Sequence, residues 1–247
     1  MSLPEDVLTA LRQVAQVPVL LVTSDFDGTV APIVNHPADA RPVAAAAEAL
    51  RTLAQLPATS AALISGRALA DLETLSGLVG AVNLVGSHGA EFDTGFAHEI
   101  DSALLQTIVD ELTVIANRYP GVTVEPKPAS VALHVRNATP ADADAALDAV
   151  RTRSAGWDAH VTEGKAVLEF AVITTDKGEA IDILRRRDNA DAVVFFGDDV
   201  TDEKAFLRLH ATDLGVKVGP GDTAAAYRIS SPDEVAEALQ ILVEQRR

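Results

Sequence analysis

Short apolar runs that end abruptly on small polar residues recur along this chain, separated by amphipathic helical stretches. Residues 18–23, 59–64, 82–85 and 192–196 are mostly apolar or β-branched, with no polar–apolar alternation. Runs of that length suit strands buried on both faces of a sheet. Helical patterns at residues 4–16, 43–56, 68–75 and 176–187 lie around them, and strand–helix alternation of this kind builds parallel βαβ units with helices on both faces. The expected fold class is α/β: a doubly wound parallel-sheet core.

Between about residues 99 and 173 the texture changes. Two helical stretches, 101–118 and 139–153, are interleaved with extended runs at 122–125, 131–136, 157–162 and 166–171 whose polar and apolar residues alternate. Alternation marks strands with one open face, so this stretch is expected to be an inserted antiparallel α+β domain. The core is then discontinuous, residues 1–98 and 174–247. A helix from Asp202, a short strand at 215–218 and a final helix at 232–244 complete the expected elements. No internal repeat is present.

Composition limits the chemistry. Twenty Lys and Arg against 36 Asp and Glu give a formal net charge of −16, a field that repels phosphate backbones and anionic lipid. No nucleic-acid or membrane partner is expected. The chain contains no cysteine, which excludes disulfides, thiol nucleophiles and thiolate metal sites and leaves hard oxygen ligands for a divalent ion. With no apolar run near the roughly 18–20 residues of a membrane span and no signal-like start, a cytoplasmic protein is expected, with a monomer plausible.

Ligands of open parallel sheets sit beyond the carboxyl ends of the strands, so residues just past each strand converge. Asp25 and Asp27 follow the first strand and Ser65 the second. Lys177 opens the helix after the insert, and Asp198 and Asp199 follow the strand at 192–196. Each feature alone has an ordinary reading as a turn, a helix cap or a solvated lysine. In this order at strand ends they form an acidic cluster with one ammonium and one hydroxyl, the set that aspartyl-phosphate chemistry requires. Asp25 is the candidate nucleophile, and Asp27, two residues on in a turn allowed by Gly28, is the candidate general acid and base. Mg²⁺ is the expected cofactor, held by Asp25, Asp198 and the Asp27 carbonyl, because clustered carboxylates repel one another unless a divalent ion joins them. Lys177, the Ser65 hydroxyl and N–H groups at helix starts, with Gly28, Thr29 and Gly66 in the adjoining turns, would hold phosphoryl oxygens. Arg67 either steers phosphate or pairs with an acid.

This constellation resembles the haloacid dehalogenase-type phosphatases over the whole chain, with Asp25-Phe-Asp27-Gly-Thr29, Ser65, Lys177 and Gly197-Asp198-Asp199-Val-Thr201-Asp202 as the four motifs. Within that superfamily it is most similar to the trehalose-6-phosphate phosphatases. The residues carrying that likeness are Asp25 to Pro32, Ile64-Ser-Gly-Arg67, Gly86-Ser-His-Gly-Ala-Glu91, Glu125-Pro-Lys127, His134-Val-Arg136, Gly164-Lys165 with Glu169, and Gly197 to Glu203. The resemblance implies a sugar-phosphate substrate and makes the insert a cap. It implies sugar recognition by Glu125, Lys127 and Glu169, with Asp199 and Asp202 behind the metal. Without the likeness, the cap trio would read as a surface salt-bridge set. Arg136 either adds charge near the phosphate or forms a surface ion pair, and His88 and His134 support neighbouring groups. Two departures stand out: Ala171-Val172 where the family has Arg-Pro, and Lys204 where an acid often closes the fourth motif. The first removes a donor fork that alanine cannot replace, which leaves room for another phosphorylated sugar or glycoside. Two more distant readings are a phosphoacceptor signalling module and a silent sugar-phosphate-binding protein.

Overall fold

The computed structural model describes residues 3–164 and 166–247. Lys165, which the family resemblance includes, lies outside the described residues. The chain divides into two compact units, Met1–Ala97 with Thr175–Arg247, and His98–Thr174.

In the first unit, α1 (Glu5–Val14) leads into β1 (Leu20–Ser24), and α2 (Ala44–Gln55) into β2 (Thr59–Ile64). Then come α3 (Leu69–Ser76), β3 (Asn83–Val85) and a tight hairpin of β4 (Glu91–Phe92) with β5 (Gly95–Phe96). The second unit contains α4 (Ser102–Ala116), β6 (Thr123–Pro126), β7 (Ser130–His134), α5 (Pro140–Ser154), β8 (His160–Gly164) and β9 (Val167–Ala171). The chain returns to the first unit with α6 (Lys177–Asp188), β10 (Ala192–Gly197), α7 (Val200–Arg208), β11 (Leu214–Val218), β12 (Tyr227–Ile229) and α8 (Pro232–Arg246).

Six parallel strands form the core sheet in the order β12-β11-β10-β1-β2-β3. Its centre is the apolar runs: Leu20, Leu21, Val22, Val193, Val194, Phe195 and Phe196 are all fully buried. Side chains alternate across the sheet, so Leu20, Val22, Val194 and Phe196 pack on the face that carries α1, α2 and α8. Leu21, Val193 and Phe195 pack on the face with α6 and α7. The doubly wound α/β class follows from this two-sided burial. Near the C-terminus, Arg246 donates to Thr59 Oγ1 and to the carbonyls of Ala15, Val17, Pro18 and Ala58, tying α8 to the loops that enter β1 and β2.

The second unit is an antiparallel sheet, β6-β7-β9-β8, whose buried face meets α4 and α5 through Ile108, Leu112, Ala146, Val150, Val131, Leu133, Leu168 and Phe170. Two sequence expectations need correction. The strand expected at 131–136 closes at His134, because the Val135–Ala138 turn and the Thr139 cap of α5 redirect the chain. Arg136 is therefore exposed, past the strand end. The strand expected from Trp157 starts at His160, and Trp157 packs its ring edge-on to Phe170 at 5.1 Å. Among the described residues, no helix is long and apolar enough to cross a membrane.

Candidate active site

The carboxyl ends of β1, β2 and β10 are adjacent because those strands are neighbours in the sheet, and the chemistry-bearing residues collect there. The Asp25 N–H bonds the Phe196 carbonyl at 2.9 Å, so the β1–β10 pairing runs right up to the candidate nucleophile. Asp25 is buried. Its Oδ1 accepts from Lys177 Nζ at 2.6 Å, the Thr29 hydroxyl approaches Oδ2 at 3.5 Å, and the carboxylate also accepts the Phe26 main-chain N–H. Lys177, also buried, donates a second 2.6 Å bond to Asp202 Oδ1. The other oxygen of Asp202 accepts the N–H groups of Asp198 and Asp199, at 2.9 and 3.0 Å.

Burial pushes the Asp25 carboxyl up to about 7, against the opposing pull of Lys177. Burial also works to lower the Lys177 ammonium, but Asp25 and Asp202 together outweigh it and raise it. Asp198 is raised as well, by burial and then by the charges of Asp202 and Asp199. The cluster therefore holds more negative charge than Lys177 neutralises. One oxygen from each of Asp25, Asp198 and Asp202 lies within 4.8 Å of the others, a spacing that could hold a metal ion. Both Asp202 oxygens are already spent on Lys177 and the 198–199 amides. Asp25 Oδ2 and the Asp198 carboxylate are the oxygens left for an ion, and Asp202 fixes the loop that presents Asp198.

Gly28 explains how Asp198 comes so close. Its φ is +79°, and a Cβ there would lie 2.0 Å from Asp198 Oδ2. Only glycine meets both demands. The Gly28→Ala variant is expected to lose about 1–3 kcal/mol of stability and on the order of 10²-fold in turnover. Thermal unfolding and steady-state rates check this, and an Ala variant with unchanged rates would remove Asp198 from the site.

Arg67 pairs with an acid, Asp27. Its Nε and terminal nitrogen donate to the two carboxylate oxygens at 2.6 and 2.7 Å. The guanidinium stacks over Phe26 at 5.7 Å, and the Arg67 N–H reaches the Ser65 hydroxyl at 3.2 Å. Gly66 is small for a reason: a Cβ there would strike the His88 ring at 2.4 Å. Ser87 and His88 both hold positive φ, 51° and 56°, a strained pair held by Ser87 N–H to Arg67 O and His88 N–H to Ser65 O. His88 thus buttresses the Ser65–Arg67 loop. Asp199 caps α7 in a reciprocal box with Asp202, so that helix starts at Val200 and not at Asp202 as the sequence suggested.

Lys217 went unnoticed in the sequence. It is buried at the end of β11, opposite Gly197, and its ammonium donates to the Asp198 carbonyl. A lysine inside the apolar run Leu214–Val218 is the signal that would have found it, since lysine is almost never fully buried without a purpose.

In the second unit, Glu125 and Glu169 both stand opposite Ala132 on the central strand, so they share a sheet face. Lys127 bonds Glu169 at 3.0 Å, and the Ser130 hydroxyl donates to the other Glu169 oxygen at 2.6 Å. His134 and Glu125 are joined at 2.7 Å. Lys127 and Glu169 are thus bonded to each other, with Glu125 on the same face as Glu169 and held by His134.

Comparison with known proteins gives the family and the fold. The trehalose-phosphatase family model matches residues 23–233. A trehalose-phosphate phosphatase of Mycobacterium leprae is 35% identical over 246 residues, covering 90% of this chain and 57% of the relative. Another, from Mycolicibacterium paratuberculosis, is 37% identical over 243 residues and is covered to 61%. This chain therefore spans about three fifths of the length of those curated relatives. Among solved structures, the C-terminal domain of C. albicans trehalose-6-phosphate phosphatase aligns with a TM-score of 0.74 at 24% identity, over 98% of this chain and 97% of that one. Aspergillus fumigatus trehalose-6-phosphate phosphatase aligns at 0.72 and 25% identity, over 98% of each chain. With the family model covering all four strand-end motifs, the chain belongs to the trehalose-phosphatase family.

Proposed function

We propose that this chain is a phosphoric monoester hydrolase that releases phosphate from trehalose 6-phosphate through an aspartyl-phosphate on Asp25. The observation that carries the reading is the buried Asp25–Lys177–Asp202 bridge beside Asp198 at the strand ends, in a member of this family. One carboxylate oxygen of Asp25 attacks phosphorus as the bond to the sugar oxygen breaks. Asp27 supplies the proton to that oxygen. Asp27 then takes a proton from the water that attacks the acyl phosphate, which frees Asp25 and inorganic phosphate. Lys177 and the Ser65 hydroxyl stabilise the charge on the transferring group.

The donor set fits a hard divalent ion: carboxylate oxygens only, more of them than the Lys177 ammonium they share can neutralise, and Gly28 leaving room for Asp198. We assign Mg²⁺ to Asp25, Asp198 and the Asp27 carbonyl, where when bound it neutralises phosphoryl charge. Glu125, Lys127 and Glu169 are the proposed sugar-recognising groups, because one face carries both acceptors and a donor for hydroxyls. Arg136, exposed next to that sheet, is assigned the weaker task of drawing in the anionic substrate.

Phosphate release from trehalose 6-phosphate, glucose 6-phosphate, sucrose 6-phosphate and mannosyl phosphoglycerate, with Mg²⁺ or chelator, tests the reading. Trehalose 6-phosphate is expected to turn over at least about tenfold faster than the others and only with the ion. Preference for another glycoside phosphate would keep the catalytic residues and discard the sugar assignment, the outcome that Ala171-Val172 favours. Stable phosphorylation without turnover would instead mark a signalling module.

A further inference from the structure

A general acid and base must keep one oxygen available to the reacting groups, yet both oxygens of Asp27 are taken up by one guanidinium, at 2.6 and 2.7 Å. The two partners are not equally fixed. Arg67 has a side chain only 16% exposed, a ring beneath it and its N–H on Ser65, whereas Asp27 is 33% exposed and follows directly on the buried Phe26. A guanidinium fork accepts a carboxylate or a phosphate with the same two parallel bonds. Arg67 also leaves the same loop as Ser65, at the strand end beside Asp25. In this arrangement Asp27 fills the place that an anionic group of a substrate would take.

We infer that Arg67 is a latch on Asp27: the carboxylate occupies the fork in the resting site, and an arriving phosphoryl group displaces it and frees Asp27 for proton transfer. The inference rests on the phosphatase reading above. It makes Arg67 a positioning residue whose release couples phosphate binding to the availability of Asp27. It also assists the end of the cycle, since Asp27 returns to the fork and competes with inorganic phosphate for it. Competition for one group is reciprocal, so Asp27 weakens phosphate binding by the same factor that phosphate weakens the Asp27–Arg67 pair.

Titration calorimetry with inorganic phosphate, in the presence of Mg²⁺, on the wild type, Asp27→Asn, Arg67→Met and the double variant separates this from simple charge removal. The Asn side chain keeps the size of Asp27 and leaves its main-chain carbonyl in place. With Arg67 present, Asp27→Asn is expected to tighten phosphate binding about tenfold or more; in the Arg67→Met background, which has no fork, the gain falls below about threefold. Arg67→Lys keeps the charge without the fork and is expected to show the same loss of gain, which covers a failure of the Met variant to fold. Equal gains in the wild-type, Arg67→Met and Arg67→Lys backgrounds, or no gain in any, overturn the latch while phosphate binding itself stands. Absence of phosphate binding in every protein overturns the latch and the phosphatase reading together.

Discussion

Replacing Asp25 with Asn is expected to abolish turnover, by on the order of 10⁴-fold or more, and at the same time to raise the melting temperature of the metal-free protein. The first effect follows from the loss of the attacking oxygen. The second follows from burial. An unfolded aspartate titrates near 3.9, whereas burial pushes folded Asp25 up to about 7. Between those values the folded state binds the extra proton, so the wild type loses stability as pH rises from about 4 to about 7 and loses no more above that. Asn carries no such penalty. Its advantage over the wild type should open across that window and reach about 1–2 kcal/mol, or about 3–6 °C in melting temperature. Added Mg²⁺ is expected to reverse the order by stabilising only the wild type. Calorimetric scans from pH 4 to 8, with and without the ion, check this. An Asn variant that melts lower at every pH would mean that Lys177 attracts Asp25 more strongly than burial and neighbouring acids oppose it.

The parts of the fold legible in the sequence are those set by local burial. Thr59–Ile64 stands out because each residue is needed by a strand covered on both faces, and the helices flanking it are amphipathic enough to find within one or two residues. The strands that escaped notice are short or peripheral. Tyr227–Ile229 is a three-residue edge strand, and β4 and β5 have two residues each, too few to express a period. β8, expected at 157–162, is exposed along its whole length, and its pairing with β9 sets its bounds at His160–Gly164. The site shows the same division. Strand ends announced Asp25, Asp198 and Lys177, but which groups would bond to which depends on strand order. Only the neighbouring of β1 and β2 brings Arg67 to Asp27 across 40 positions, the acid pairing that is one of the two readings its sequence allowed. Lys217 needed the β10–β11 register to be tied to Asp198. The cap trio is a similar case, since Glu125 and Glu169 meet across Ala132 through two antiparallel registers that no local pattern encodes.

The opposite substitution in the same cluster, Lys177→Met, should have the largest effect on stability. It takes away the ammonium that bridges Asp25 and Asp202 and leaves both carboxylates buried without it, a loss of about 3–5 kcal/mol near neutral pH. The raised Lys177 stays charged through the whole physiological range, so its own titration adds no pH dependence there. The dependence comes from Asp25, which burial pushes up to about 7: as it binds its proton, the cost of losing the lysine should shrink with falling pH. Turnover is expected to drop by on the order of 10³-fold, because the transferring phosphoryl charge loses its fixed cation. Adding Asp202→Asn to Lys177→Met removes one stranded charge while its amide oxygen can still accept both the Asp198 and Asp199 N–H groups. The double variant should therefore recover about 1–2 kcal/mol over Lys177→Met alone, whereas Asp202→Asn in the wild type should destabilise, since there it strips Lys177 of a partner. A change of sign between the two backgrounds, read by denaturant unfolding, would establish that the cluster is held by charge balance. Equal effects in both would assign Asp202 to the amides of the loop alone, and Lys177 to Asp25 alone.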